Sequence, residues 1–168
     1  MPKMTNAETA EFLGEPGHLL RLGTVDAASM PSVVPIWFLH RDDRIWFTPR
    51  AKSEWFEHLR ENQNVCCTID ESEGSLRKVV ARGAAEMVHD VGEDDEWRDV
   101  YRDITMRYVP EHYGDAYLSD TSAEPRGLWA LSLDQARVET WRMPTEDGED
   151  RLAVWAPKYY HDGRAKNP

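Results

Sequence analysis

Thr48-Pro49-Arg50-Ala51-Lys52-Ser53 sets hydroxyls and two cations just ahead of a helix start. Charge-assisted hydrogen bonds from Arg50 and Lys52, with backbone N–H groups of a helix first turn, suit a dianion such as a phosphate. The plainer reading is a solvated loop ending in a capping serine, which accounts for Ser53 well. Glu54 and Glu57 close by oppose an anion. Elsewhere the chain offers little chemistry of its own. It has no G-x-G-x-x-G, Walker or G-x-S-x-G pattern, and the histidines at 18, 40, 58, 89, 112 and 161 lack metal-type spacing. Cys66 and Cys67 are neighbours on an expected strand, so they point to opposite faces and read as structural thiols rather than one metal site. With no evident nucleophile or general base, any enzymatic chemistry has to come from a bound cofactor.

The 168 residues fit a single domain spanning 1–168, with its core over about 18–142 and an aromatic tail over 145–168. Twenty basic against 31 acidic residues give a net charge of −11, which argues against nucleic acid and anionic membranes as partners. Two adjacent cysteines form no disulfide framework, and no apolar run reaches membrane-spanning length. The N-terminus lacks the apolar stretch of a signal peptide, so the cytoplasm is the expected location.

The elements that must position the loop follow from periodicity. Thr5 and Glu8 have capping-box spacing for a helix ending near Gly14. Strands are expected over 18–26, 32–40, 44–48, 65–70, 76–89 and about 128–141, with a hairpin turn at Arg41-Asp42-Asp43. Helices are expected over 53–62 and 90–109, with a weaker one over 112–118, and Gly83 marks a bend or a close contact. The run Val33-Val34-Pro35-Ile36-Trp37-Phe38-Leu39 is apolar on both alternating faces. Such a strand is expected to be covered twice, by a core and by a ligand or partner chain. Pro35 places it at an edge or bulge. Six strands without β-α-β alternation give a mainly β fold: a six-stranded antiparallel barrel with appended helices.

Across residues 18–142 the order of features resembles the flavin-binding split-barrel family typified by pyridoxamine 5'-phosphate oxidase. The residues that carry the likeness are Thr24-Val25, Pro31, Val33-Val34-Pro35-Ile36-Trp37-Phe38, Phe47-Thr48, Val65 and the terminal Arg137-Val138 to Trp141. The resemblance implies a homodimeric split barrel binding FMN, or in one branch a deazaflavin coenzyme, at the subunit interface. It puts the backbone of Val34, Pro35, Ile36 and Trp37 near the flavin ring, and the FMN phosphate on Thr48, Arg50, Lys52 and Ser53. Trp37 and Trp141 would wall the site. Family members often carry a lysine where this chain has Trp55, so Arg50, Lys52, Lys78 or Arg82 has to compensate. The terminal RVETWRMP lacks the Arg-x-His that grips pyridoxamine phosphate, so the implied activity is flavin-dependent oxidoreduction of another small molecule. The alternatives are a deazaflavin-dependent reductase and a non-enzymatic flavin or haem carrier. An obligatory dimer is expected, with Trp155, Tyr159 and Tyr160 of the tail reaching the partner.

Overall fold

The computed structural model describes residues 2–144. The tail residues Trp155, Tyr159 and Tyr160, expected to reach a partner, lie outside that range. The strands, in chain order, are β1 (Leu20–Val25), β2 (Pro31–Ile36), β3 (Leu39–Arg41), β4 (Arg44–Phe47), β5 (Asn64–Asp70), β6 (Lys78–Ala84), β7 (Glu86–His89), β8 (Leu128–Ser132) and β9 (Arg137–Trp141). The helices are α1 (Asn6–Gly14), α2 (Glu54–Glu61), α3 (Arg98–Met106) and α4 (Glu111–Asp120). All pairings are antiparallel, and they build two open sheets in the orders β2-β1-β5-β6-β9 and β3-β4-β8-β7.

The six expected runs account for all nine strands, because three of the runs break and change sheet. The run over 32–40 breaks after Ile36, where the Phe38 N–H donates to the Tyr108 hydroxyl (3.2 Å) instead of to a strand. The run over 76–89 breaks at Ala85, whose N–H donates to the Gln63 carbonyl (2.8 Å). Gly83 is a close contact rather than the bend, since a Cβ there would lie 3.2 Å from Leu131 Cδ1. The run over 128–141 turns at 133–136, where the Leu133 N–H donates to the Asp43 carbonyl (2.8 Å). Apolar alternation survives such breaks, so the sequence shows one strand where the chain makes two.

Local chemistry explains the other elements. Thr5 accepts the Glu8 N–H and Glu8 accepts the Thr5 N–H, so the capping box that starts α1 is complete. Asp42 and Asp43 both take positive φ, the twist that a two-residue hairpin turn needs. The helix expected over 90–109 is instead a 3-10 turn (Asp94–Glu96) followed by α3. Part of the reason is Glu93, whose carboxylate accepts the Asp90 N–H (3.1 Å) in a local turn.

The core lies between the sheets and gathers Leu20, Leu22, Ile45, Phe47, Ile69, Val79, Trp129 and Leu131. Strand β8 is buried on both faces, because Leu128 packs on its other side against Trp97, Val100 and Ile104 of the α3 region. Strand β2 behaves differently. Val34 and Ile36 pack on the core, while Pro31, Val33 and Pro35 face outward at the edge of the sheet. Val33 is 66 % exposed and neighbouring Met30 63 %. The double cover expected for this strand is therefore met on only one side by the described residues.

Candidate functional site

A cleft of about 260 Å³ opens where β2 and β4 end, roofed by α3 and α4. Pro35, Ile36, Trp37, Thr48, Arg50 and Ser53 line it, joined by Trp55, Tyr101, Ile104, Tyr117 and Arg126. Backbone bonds bring the two polar walls together. Arg50 and Arg126 form an isolated antiparallel bridge. The Ala51 N–H donates to the Pro125 carbonyl (2.9 Å), and the Gly127 N–H donates to the Pro49 carbonyl (3.2 Å). Gly127 is needed at this junction, since a Cβ would come within 3.0 Å of the Phe56 ring.

The two loop cations are already paired. Glu124 holds Arg50 Nε at 2.5 Å and Lys52 Nζ at 2.9 Å. Lys52, foremost, with Arg50 and Arg126 behind it, keeps the Glu124 carboxyl below its ordinary pKa despite partial burial. Ser53 sits at the N-cap of α2 but does not cap it. Its hydroxyl donates to the Arg50 carbonyl (2.7 Å), closing the loop on itself. Glu54 and Glu57 fill the first turn, so this helix end does not favour an anion.

Arg126 has the opposite character. It is 7 % exposed, and its guanidinium lies 4.8 Å over the Tyr101 ring. Its Nη1 makes only long bonds to Thr48, 3.4 Å to the carbonyl and 3.3 Å to Oγ1. Its Nε is buried without a hydrogen-bond partner, and no ion pair to it occurs among the described residues.

At the apolar end the Trp37 indole stacks on Tyr108, 5.1 Å between centroids and 3° between planes. Tyr108 is fixed in turn, because its hydroxyl donates to the His18 carbonyl (2.7 Å) while accepting the Phe38 N–H. Burial raises the Tyr108 pKa, which keeps that donor protonated. Trp37 thus presents a clamped flat ring to one end of the cleft.

The remaining sequence candidates lie elsewhere. Val34 packs into the core beside the cleft wall. Lys52 is largely exposed, beyond the lining. Lys78, Arg82 and Trp141 share the outward face of the five-stranded sheet. There Lys78 Nζ sits 5.2 Å from the Trp141 ring, and Arg82 lies 3.9 Å from Glu139. Cys66 is half-buried and Cys67 buried, both free thiols on opposite faces of β5, and burial pushes the Cys67 pKa up to about 12. Arg126, Tyr101 and Tyr117 are not among the site residues that the sequence offers. The only cue for Arg126 is a cation between Pro125 and Gly127 just ahead of an apolar strand.

A family model described as pyridoxamine 5'-phosphate oxidase matches residues 5–142. The chain belongs to the pyridoxamine 5'-phosphate oxidase family. No curated protein matches the chain. Solved structures that share the fold include the conserved hypothetical protein Rv2991 from Mycobacterium tuberculosis. It is 21 % identical with a TM-score of 0.66, covering 86 % of this chain and 91 % of its own. An FAD-binding protein from Mesorhizobium loti is 19 % identical with a TM-score of 0.59, covering 83 % and 97 %. An F420 reductase is 20 % identical with a TM-score of 0.52, covering 87 % and 97 %. At these identities the family and its neighbours agree on fold. Among the described residues, no helix is long and apolar enough to cross a membrane.

Proposed function

We propose that this family member is a homodimeric, FMN-dependent oxidoreductase acting on a small molecule, with the flavin in the cleft beside Trp37. The observation that carries the reading is the cleft's two-ended character. A clamped indole at one end and guanidinium and hydroxyl groups at the other suit a ligand with a flat ring and an anionic tail. The orphaned Nε of Arg126 fits the same ligand. A bound flavin supplies hydride transfer. The chain's part is to hold the ring between Trp37 and the end of β2, exclude water with α3 and α4, and neutralise the tail.

A second copy completes this reading. The cleft's volume of about 260 Å³ falls under the ~300–1,000 Å³ usual for small-molecule sites. The apolar face of Pro31, Val33 and Pro35 next to it is left uncovered by this chain. Docking that face on a partner encloses the cleft. Lys78, Arg82 and Trp141 are then available to the interface. Two free thiols suit the cytoplasm.

The F420 reductase neighbour keeps a deazaflavin coenzyme as the second reading. Its longer anionic tail asks for more cations than a cleft in which Glu124 already binds two. A haem carrier would have to take Tyr101 or Tyr117 as its iron ligand, because no histidine lines the cleft among the described residues. The absorbance spectrum of freshly purified protein, with the mass of any ligand released on unfolding, tests all three. A flavin spectrum and the mass of FMN support the proposal. A colourless protein that takes up neither FMN nor the deazaflavin overturns both redox readings.

A further inference from the structure

We infer that Arg126 is the anion anchor of the cleft, and that Glu124 is a built-in carboxylate competitor that keeps Arg50 and Lys52 from sharing the work. The ligand chemistry is a phosphomonoester dianion. The inference rests on the flavin reading for the ligand's identity but not for its charge.

The cations at this end of the cleft differ in their partners. Arg50 and Lys52 have their counter-ion in Glu124, at 2.5 and 2.9 Å. Arg126 is more buried than either and, among the described residues, has no carboxylate within ion-pair distance, although Glu124 is near enough to feel its charge. A guanidinium offers five donors, and here one makes only long bonds to Thr48 while Nε makes none. A buried cation left in this state is costly unless an anion arrives. The Tyr101 ring below it, 4.8 Å from the guanidinium carbon, offsets part of that cost and keeps the plane oriented. Thr48 Oγ1, 3.3 Å from Nη1, stands beside the same spot and adds a hydroxyl donor. The antiparallel bridge between Arg50 and Arg126 ties the two walls together, so Glu124 lies one residue from the segment that carries the anchor. A dianion that enters the cleft therefore pairs preferentially with Arg126 and has to compete with Glu124 for the other two cations. Glu124 sets the affinity low and reserves the site for ligands that also engage the apolar end.

The full-length protein is titrated with inorganic phosphate, followed by the thermal midpoint and by emission from the cleft tryptophans, and then with FMN and riboflavin. Phosphate is expected to stabilise the wild type. Arg126→Gln should weaken phosphate binding by a factor on the order of 30 to 100, and Arg126→Lys should restore part of it. Glu124→Gln should tighten phosphate binding by roughly tenfold. An unchanged phosphate response in Arg126→Gln overturns the anchor. Should that variant fail to fold, Glu124→Gln decides, and equal or weaker phosphate binding there overturns the inference. A phosphate response that follows these variants while neither FMN nor riboflavin binds supports the anchor and sinks only the flavin reading. FMN binding whose margin over riboflavin survives Arg126→Gln supports the flavin reading and sinks only the anchor.

Discussion

Arg77 and Arg126 are both mostly buried arginines laid over an aromatic ring, and the fold treats them in opposite ways. Arg77 lies 4.7 Å over Phe12 and is embraced by two carboxylates, with bonds of 2.8 Å to each oxygen of Glu15 and of 2.7 and 3.0 Å to Glu71. Arg126 lies over Tyr101 with no carboxylate partner among the described residues. The first is saturated by its own chain and ties α1 to β5 and β6. The second is left incomplete and faces a cleft. A buried charge whose partners are all in the fold reports on architecture, whereas one without them reports on a ligand. Glu15, His18 and Glu71 are close enough together for a metal ion, but Arg77 already forms ion pairs with both carboxylates.

That contrast breaks most clearly at Arg77. Arg77→Met takes the guanidinium from two neighbouring carboxylates, leaving Glu15 with only His18, and is expected to cost about 2–4 kcal/mol of unfolding free energy in chemical denaturation. The phosphate response should survive it. Arg126→Gln should shift stability by less than about 1 kcal/mol in either direction, because it relieves a buried charge that has no direct ion pair as it removes a cation–π contact. Equal stability losses in the two variants would dissolve the distinction.

Acid sharpens the same contrast. Hydrogen bonds from Arg77 hold Glu15 and Glu71 below their ordinary value of 4.5. Groups depressed in the folded state contribute stability above the unfolded pKa and lose it as the pH falls through the lower folded one. The wild type should thus weaken progressively below about pH 4.5 through these two groups. In Arg77→Met this part of the acid loss should shrink, as read by denaturation midpoints across pH.

The exposed face of β2 extends the comparison from charge to apolar surface. Val33→Glu places a charge where 66 % of a valine is uncovered, so a monomer gains solubility and loses nothing in its core. Sedimentation is expected to show weaker self-association by at least about tenfold, since burying an unpaired carboxylate at an interface is costly. A dimer untouched by Val33→Glu would move the interface elsewhere. Smaller again is the effect of Arg50→Ala with Lys52→Ala. Glu124 already occupies both cations, so FMN should weaken by less than about tenfold, against a larger loss in Arg126→Gln. Smallest is Tyr108→Phe, which leaves the His18 carbonyl and the Phe38 N–H short of one partner. It should cost about 1 kcal/mol and loosen the stacking that fixes Trp37, measured by denaturation and tryptophan emission.

Much of this organisation is legible in residue types and spacing, and the illegible parts have definite causes. The α1 capping box, the Asp42-Asp43 turn and the edge position of Pro35 depend on neighbours in sequence, so they can be read directly. The strand breaks at Trp37-Phe38, Ala85 and 133–136 depend on partners far along the chain, among them Tyr108, Gln63 and Asp43. The cleft is recovered in half for the same reason. Pro35, Ile36, Trp37, Thr48, Arg50 and Ser53 lie on or between strands whose order is readable. Arg126 enters only through its bridge to Arg50, and Glu124 reaches Lys52 across 72 positions. Lys78, Arg82 and Trp141 share a face, but it is the outward face of the sheet and not the cleft.

The most direct measurement is a crystal structure of the full-length protein with FMN. The account expects the flavin ring against Trp37 and the end of β2, with the phosphate within hydrogen-bonding distance of the Arg126 guanidinium. A phosphate held by Lys78 and Arg82, with the Arg126 cleft empty, would contradict it.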